Sequence, residues 1–353
     1  MPDVPKTMQA VVYRGVNDLR VETLPVPRIT ARDILVRIAV CGVCPTDIKK
    51  IHYGIVPPPR VFGHETSGTI VKVGARVRGF RVGQRVALHH HVPCMKCHMC
   101  RHAAFAQCAQ YKKTGITAGF EPAGGGYAEY VQVMPFVFPG VVTIPARNTF
   151  EEGAMLEPVN TVLKAVRRLN LLPGDHVLVA GQGPIGLMFT RILALRKVNV
   201  VASDLIPERL KLAKKFGAKF AFQPNSGATP AFPQPDAAIV ATPSDAVVRD
   251  CLDQIRGAGQ ILLFAHTKRG AETQLDLSKI CVDEKDLVGS YSSDITIQNE
   301  VARLVFSRKL DVRPLITHRF PLHETANAIA LAAKPSPGAL KVVVDQTLSD
   351  TKK

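Results

Sequence analysis

The sequence predicts an α/β protein in which a mainly β lobe precedes a doubly wound parallel sheet. Up to about residue 150 the chain is rich in short β-type runs punctuated by glycine and proline. From about Asp175 apolar strands alternate with helices, and strands joined through helices pair in parallel. A glycine turn, Gly181-Gln-Gly183-Pro-Ile-Gly186, stands between the first of these strands and its helix.

In the β lobe the runs are Gln9 to Tyr13, Ile34 to Val40, Ser67 to Val73 and Arg85 to His89. The second region opens with a strand at His176 to Ala180. A helix follows from Pro184 to Arg196, with Ile185, Met188, Ile192 and Leu195 at helical spacing. A strand at Asn199 to Ser203 completes a βαβ unit. Next come a helix from Pro207 to Phe216 closed by Gly217, a strand at Ala237 to Thr242, a helix at Ser244 to Ile255 and a strand at Gln260 to Phe264. Four prolines between Gln223 and Pro235 exclude a regular helix there, so that crossover reads as a loop. After residue 293 the pattern holds one helical stretch and a closing strand, Ala339 to Val344, that returns to the first lobe. The domain reading is 1–158, joined by 293–353, around 159–292.

With 353 residues the chain has room for two domains. Hydrophobic residues make up 46% and charged residues 21%, which excludes a disordered or fibrous chain. The balance of 45 basic and 29 acidic residues gives a net charge of +16 and a surface that attracts anions. The basic residues are scattered, as at Lys49-Lys50, Arg167-Arg168 and Lys211 to Lys215, and no tail for nucleic acid is formed. A zinc-containing nucleic-acid-binding protein is the alternative from another class, and it leaves the glycine turn without a role. The longest uncharged run, Tyr130 to Ala146, is broken by three prolines and is too short for a spanning helix. The expectation is a cytoplasmic protein with neither a membrane nor a nucleic-acid partner.

Cys94, Cys97, Cys100 and Cys108 supply four thiolates on one short segment, the donor set of a closed, structural zinc site. Nearby His89, His90, His91, His98 and His102 could also ligate metal, and the reading favoured for them is that of polar strand and loop residues. In the glycine turn, Gly181, Gly183 and Gly186 let the backbone approach a pyrophosphate at the start of the helix that Pro184 and Ile185 open. Asp204 ends the next strand, where a carboxylate accepts hydrogen bonds from ribose hydroxyls and repels a 2′-phosphate, so the expected cofactor is NAD. Arg209 completes the cofactor-binding set. The competing role for Asp204 is a cap before the helix at Pro207. Three further segments, Cys44-Pro-Thr46-Asp47, Gly63-His64-Glu65 and Leu156-Glu157-Pro158, are unremarkable by spacing alone.

Taken in order along nearly the whole chain, these five motifs resemble the zinc-dependent medium-chain dehydrogenases, in the branch of sorbitol, threonine and butanediol dehydrogenases. The resemblance implies a GroES-like β domain and a Rossmann domain. It also implies two zinc ions per chain, one structural and one catalytic. The catalytic zinc would be held by Cys44 and His64 with Glu65 as a ligand, and Glu157 would be either a ligand or a hydrogen-bond partner of the zinc-bound water. Such a zinc lowers the pKa of a bound alcohol so that hydride can pass to the nicotinamide. Thr46 then resembles the first member of a proton relay. Many relatives place a histidine five residues after the zinc cysteine; that position is Lys49 here, and His52 is the nearest histidine. Tyr53 resembles a pocket aromatic, and the Gly119 to Gly126 stretch either shapes the pocket rim or forms a plain turn. Polyol-oxidising relatives are expected to carry an arginine where this chain reads Gly289-Ser-Tyr291-Ser-Ser293. The implied reaction is oxidation of a secondary alcohol, diol or polyol to a ketone with NAD, in a dimer or tetramer. A primary-alcohol or aldehyde-linked dehydrogenase is the alternative within the family.

Overall fold

The computed structural model describes residues 4–89, 91–111, 125–224, 231–265, 270, 272–334 and 336–348. They form two units: Met1–Asn160 with Ser293–Lys353, and Thr161–Ser292.

The second unit is built on one six-stranded parallel sheet. In chain order its strands are His176–Ala180, Asn199–Ser203, Ala218–Phe222, Ala237–Val240, Gln260–Leu263 and Asp286–Gly289. In space they run third, second, first, fourth, fifth, sixth. The order therefore reverses between the first and fourth strands, the crevice where such sheets bind ligands. Helices Pro184–Leu195, Pro207–Phe216 and Asp245–Gln254 follow the strands that the sequence pattern indicates. Leu178, Val201, Ala238, Val248, Leu252 and Ile261 form the core. Two strands were not anticipated. Ala218–Phe222 starts directly after the left-handed Gly217 cap and carries Lys219, so no turn or apolar run announces it. Asp286–Gly289 is the last strand of the sheet among the described residues and is mostly exposed, so it lacks the apolar run of a central strand. Residues 223–224 and 231–235 form no helix, as the prolines predict.

In the first unit the larger sheet runs Ile316–Phe320, Lys341–Asp345, Ile34–Gly42, Glu65–Val73, Arg85–Leu88, Val141–Thr143, and Tyr130–Val133 pairs with Ile34–Gly42. A second sheet has Thr7–Gly15 between Asp18–Pro25 and Arg60–Val61. The returning segment does add a strand to the first lobe: Lys341–Asp345 pairs antiparallel with Ile34–Gly42. It also holds more than the sequence pattern showed, with two helices, Gln298–Phe306 and Thr325–Ala333, and the strand Ile316–Phe320. The second helix, TANAIALAA, has too little polar contrast to show a periodicity, and His318 and Arg319 interrupt the strand.

One consequence of this sheet positions the site. Gly42 lies opposite Glu65 on one neighbour and Val343 on the other, so the end of the central strand gathers Cys44, His64, Glu65 and Lys341. No helix among the described residues is long and apolar enough to cross a membrane.

Candidate functional site

Cys44 caps helix Pro45–Tyr53, its sulfur accepting the Thr46 N–H at 3.4 Å. His64 and Glu65 enter the neighbouring strand after Gly63, whose φ is +97° and where a Cβ would stand 2.7 Å from Cys41 Sγ and 2.9 Å from the Tyr127 nitrogen. Only glycine fits that turn. The ligand atoms of Cys44, His64 and Glu65 all lie within 4.8 Å of one another.

Asp47, one helical turn after Cys44 and fully buried, stands 3.1 Å from His64 Nδ1 through Oδ1. Assigning the proton to Nδ1 leaves Nε2 for a metal, the carboxylate–histidine arrangement that orients zinc-binding imidazoles. Burial opposes charge on both groups. Even so, His64 and the nearby lysines hold the Asp47 carboxyl below its usual value, while Asp47 and Cys44 raise the His64 imidazole well above its own. A mixed set of sulfur, imidazole and carboxylate donors is one that a zinc ion would satisfy.

Glu65 has a second partner. Its Oε2 forms an ion pair with the buried Lys341 ammonium, which also donates to the Val43 carbonyl at 3.0 Å. Burial, opposed by Lys341, raises the Glu65 carboxyl above its usual range. The expected zinc ligand Glu65 therefore shares its carboxylate with a lysine from the far end of the chain. Glu157, in the first turn of helix Leu156–Val166 and also buried, lies with its Oε1 3.4 Å from His91 Nδ1.

The other expected residues fall as follows. Thr46 is half-buried on the first turn after Cys44, and Lys49 lies one turn further on, its ammonium lowered by burial. His52 is on the exposed side of the same helix with Nδ1 against the Asn17 side chain, so it does not join the Cys44, His64 and Glu65 group. Tyr53 is exposed at the helix end. Of the Gly119 to Gly126 stretch, residues 119–124 lie outside the described residues, as does His90. His89 and His91 are in the loop after strand Arg85–Leu88. His89 is 1% exposed, and the His91 ring lies 5.7 Å from that of His64. They come after the end of that strand, whose place beside the site a sequence pattern does not reveal. Asp47 was visible beside Cys44 without a role; Lys341 had no signal, since only strand pairing brings it near Glu65.

The four cysteines form a second group, their sulfurs also within 4.8 Å of one another. Cys97 and Cys100 are separated by 3.5 Å and Cys94 and Cys100 by 3.9 Å. Thiolates at about 2.3 Å from a tetrahedral zinc stand about 3.8 Å apart. Backbone N–H groups of Lys96 and Cys97 draw the Cys94 thiol down to about 6, while burial and the neighbouring sulfurs push Cys100 up to about 12. Sulfurs in such competition for protons fit a shared cation. A cleft of about 480 Å³ beside this loop, lined by Val92, Pro93, Met95, Lys96, Phe136 and Ile295 among others, shares no residue with the Cys44 group.

In the second unit the glycine turn has the shape a dinucleotide needs. Gly181 has φ +94°, and a Cβ on Gly186 would fall 1.8 Å from the Gly181 carbonyl oxygen, so the helix could not start this close to the strand with any side chain there. Gly183 caps helix Pro184–Leu195, and a Cβ on it would meet only Arg209 Nη1, at 3.9 Å, which leaves room for a phosphate. Asp204 accepts the Gln182 N–H at 2.6 Å and the Ile206 N–H at 2.8 Å, and its Oδ2 is 3.9 Å from Arg209 Nη1. The carboxylate thus braces the glycine turn and also caps the turn before Pro207. Each of its oxygens retains a lone pair for a hydroxyl.

Residues 30–145 match the alcohol dehydrogenase GroES-like domain, and residues 184–307 match the zinc-binding dehydrogenase family. Sorbitol dehydrogenase of Bombyx mori is 30% identical over 351 residues, 95% of this chain and 97% of that one. A candidate zinc-binding dehydrogenase of Sinorhizobium meliloti 1021 bound to NADP superposes with a TM-score of 0.86 at 25% identity, over 97% of this chain and 100% of the other. A structure from E. coli CFT073 described as a short chain alcohol dehydrogenase, complexed with NADH, gives 0.84 at 25% identity with the same coverages. By these matches the chain belongs to the zinc-dependent medium-chain dehydrogenase family and is an oxidoreductase.

Proposed function

We propose that this protein oxidises a secondary alcohol, vicinal diol or polyol to the ketone, with NAD as hydride acceptor and with two zinc ions of separate roles. The observation that carries the reading is the pairing of a closed four-thiolate group with a mixed group in which Asp47 orients His64. A zinc ion at Cys44 and His64 would supply Lewis-acid polarisation of the substrate oxygen, and NAD the hydride-accepting ring. Cys44 and His64 would hold the metal, with Glu65 shared between it and Lys341 and Glu157 nearby as ligand or hydrogen-bond partner. Thr46 would take the first proton from the substrate hydroxyl. Gly181, Gly183, Pro184, Ile185 and Gly186 would cradle the pyrophosphate.

Asp204 favours NAD over NADP, because a 2′-phosphate placed against its carboxylate is repelled. Arg209, 3.9 Å from that carboxylate, is the group that would soften the repulsion. The sorbitol dehydrogenase relatives support the polyol class. Self-association is supported by the last described strand of the sheet, Asp286–Gly289, with Leu277, Val282, Leu287 and Tyr291 exposed near it in the sequence. A cytoplasmic setting is supported by eight cysteines, none in a disulfide.

The test is NADH formation across secondary alcohols, vicinal diols, polyols, L-threonine and primary alcohols, with and without a zinc chelator. Chelator-sensitive turnover of a secondary alcohol, diol or polyol is expected. Turnover confined to primary alcohols would replace this reading with the aldehyde-linked one, and a preference for NADP would overturn the role of Asp204.

A further inference from the structure

Two histidines, His89 and His91, follow strand Arg85–Leu88. His89 is pinned: its backbone N–H donates to the Gly140 carbonyl at 3.0 Å, and its Nε2 lies 2.9 Å from Ser293 Oγ. The next described residue, His91, lies against groups of both sites as well as the His89 ring, 5.9 Å away. Its ring is tilted 35° against Tyr111 with centroids 4.7 Å apart, it lies 5.7 Å from the His64 ring, and its Nδ1 is 3.4 Å from Glu157 Oε1. Tyr111 is itself buried, packed in one cluster with Cys100, Phe105 and Cys108 of the four-cysteine loop. The Glu157 carboxylate thus stands within reach of His91 Nδ1, where an N–H would fix its direction.

We propose that His91 is a positioning residue linking the two centres: Tyr111 of the cysteine loop sets its ring, which stands by the His64 ring, and its Nδ1 sets the Glu157 carboxylate. The packing of the structural loop then governs the geometry of the reactive one. This inference rests on the two-zinc reading above.

The test replaces the metal at the Cys44 site with cobalt(II), whose visible bands report the geometry of its shell. Wild type, His91→Leu, His91→Gln, Tyr111→Leu and Tyr111→Phe are compared, with metal content, kcat and KM measured for each. His91→Leu and Tyr111→Leu should keep two metals per chain, shift the cobalt bands and lower kcat about tenfold with KM little changed. His91→Gln, which retains an N–H donor, and Tyr111→Phe, which retains the ring, should stay near wild type. The double leucine variant should be no worse than either single one, because both break the same link. Wild-type cobalt bands and kcat in either leucine variant would overturn the proposal. If His91→Leu does not fold, Tyr111→Leu against Tyr111→Phe decides it. Fewer than two metals in the wild type would fail at an earlier point, overturning the two-zinc reading and this link with it.

Discussion

All four sulfurs of one candidate zinc site come from the segment between Cys94 and Cys108, whereas the other site takes Cys44 from a helix cap, His64 and Glu65 from a strand start, and Lys341 from the last strand. The first is a local object: a few backbone turns suffice to bring its donors together. The second exists only when the sheet of the first unit has closed with its C-terminal strand in place. A closed thiolate shell contributes mainly folding energy, while the dispersed shell, with mixed donors and a buried supporting layer, is the one that can leave a position for substrate. Metal removal should therefore have different consequences at the two sites.

Cys97→Ser attacks the local site and should produce the largest loss of stability, several kcal/mol, because binding energy of a structural zinc is folding energy. Chemical denaturation of the zinc-loaded protein measures it; an unchanged midpoint would remove the structural role from this loop.

At the dispersed site Lys341→Met, measured on the metal-free protein, leaves Glu65 as an uncompensated buried charge, with a loss of about 3–5 kcal/mol for a broken buried pair. The pair is 7% and 2% exposed on its two sides, so solvent gives little relief. Restoration by Lys341→Arg would show that charge is what matters, and equal loss in both variants would show that shape is.

Asp47→Asn should lower affinity for the metal at Cys44 and His64 by about 10–100-fold and leave the four-cysteine metal in place. Competition with a chelator resolves the two populations. Equal weakening of both would mean that the sites are not separable in the way their construction indicates.

At neutral pH the smallest effect is that of His89, which acts only on acid stability. His89 is buried and neutral, and burial, with the neighbouring His91, lowers its imidazole from 6.5 to about 4. Between these values the unfolded chain binds a proton that the folded one does not. Stability is then fully present above about pH 6.5 and falls as pH drops toward 4, by at most about 1.4 kcal/mol per pH unit. His89→Gln should flatten that part of the profile, while acid release of zinc from the thiolates remains in both proteins. Identical profiles would mean that His89 is protonated without penalty in the fold.

The same contrast between local and dispersed explains what the sequence made legible. The four-cysteine loop, the glycine turn and the βαβ strands were readable because each is written in consecutive residues: His176–Ala180, Asn199–Ser203 and helix Pro207–Phe216 have the bounds the pattern indicates. Cys44, His64, Glu65 and Glu157 became legible only as ordered motifs resembling a family. Lys341, the placement of His89 and His91, and the edge strand Asp286–Gly289 were not legible, since each takes its meaning from a neighbour set by strand order or chain return. Asp204 falls between these cases: its position was read from the strand end, but its bracing of the Gln182 and Ile206 N–H groups appears only in the fold.

The most direct test of two zinc sites with separate roles is metal content, turnover and thermal stability measured together on wild type and Cys44→Ser. The account predicts two zinc ions per chain in the wild type, and in Cys44→Ser one zinc, no NADH formation and a nearly unchanged melting temperature. A variant that keeps turnover, or that loses both zinc ions and unfolds, would contradict the division of roles.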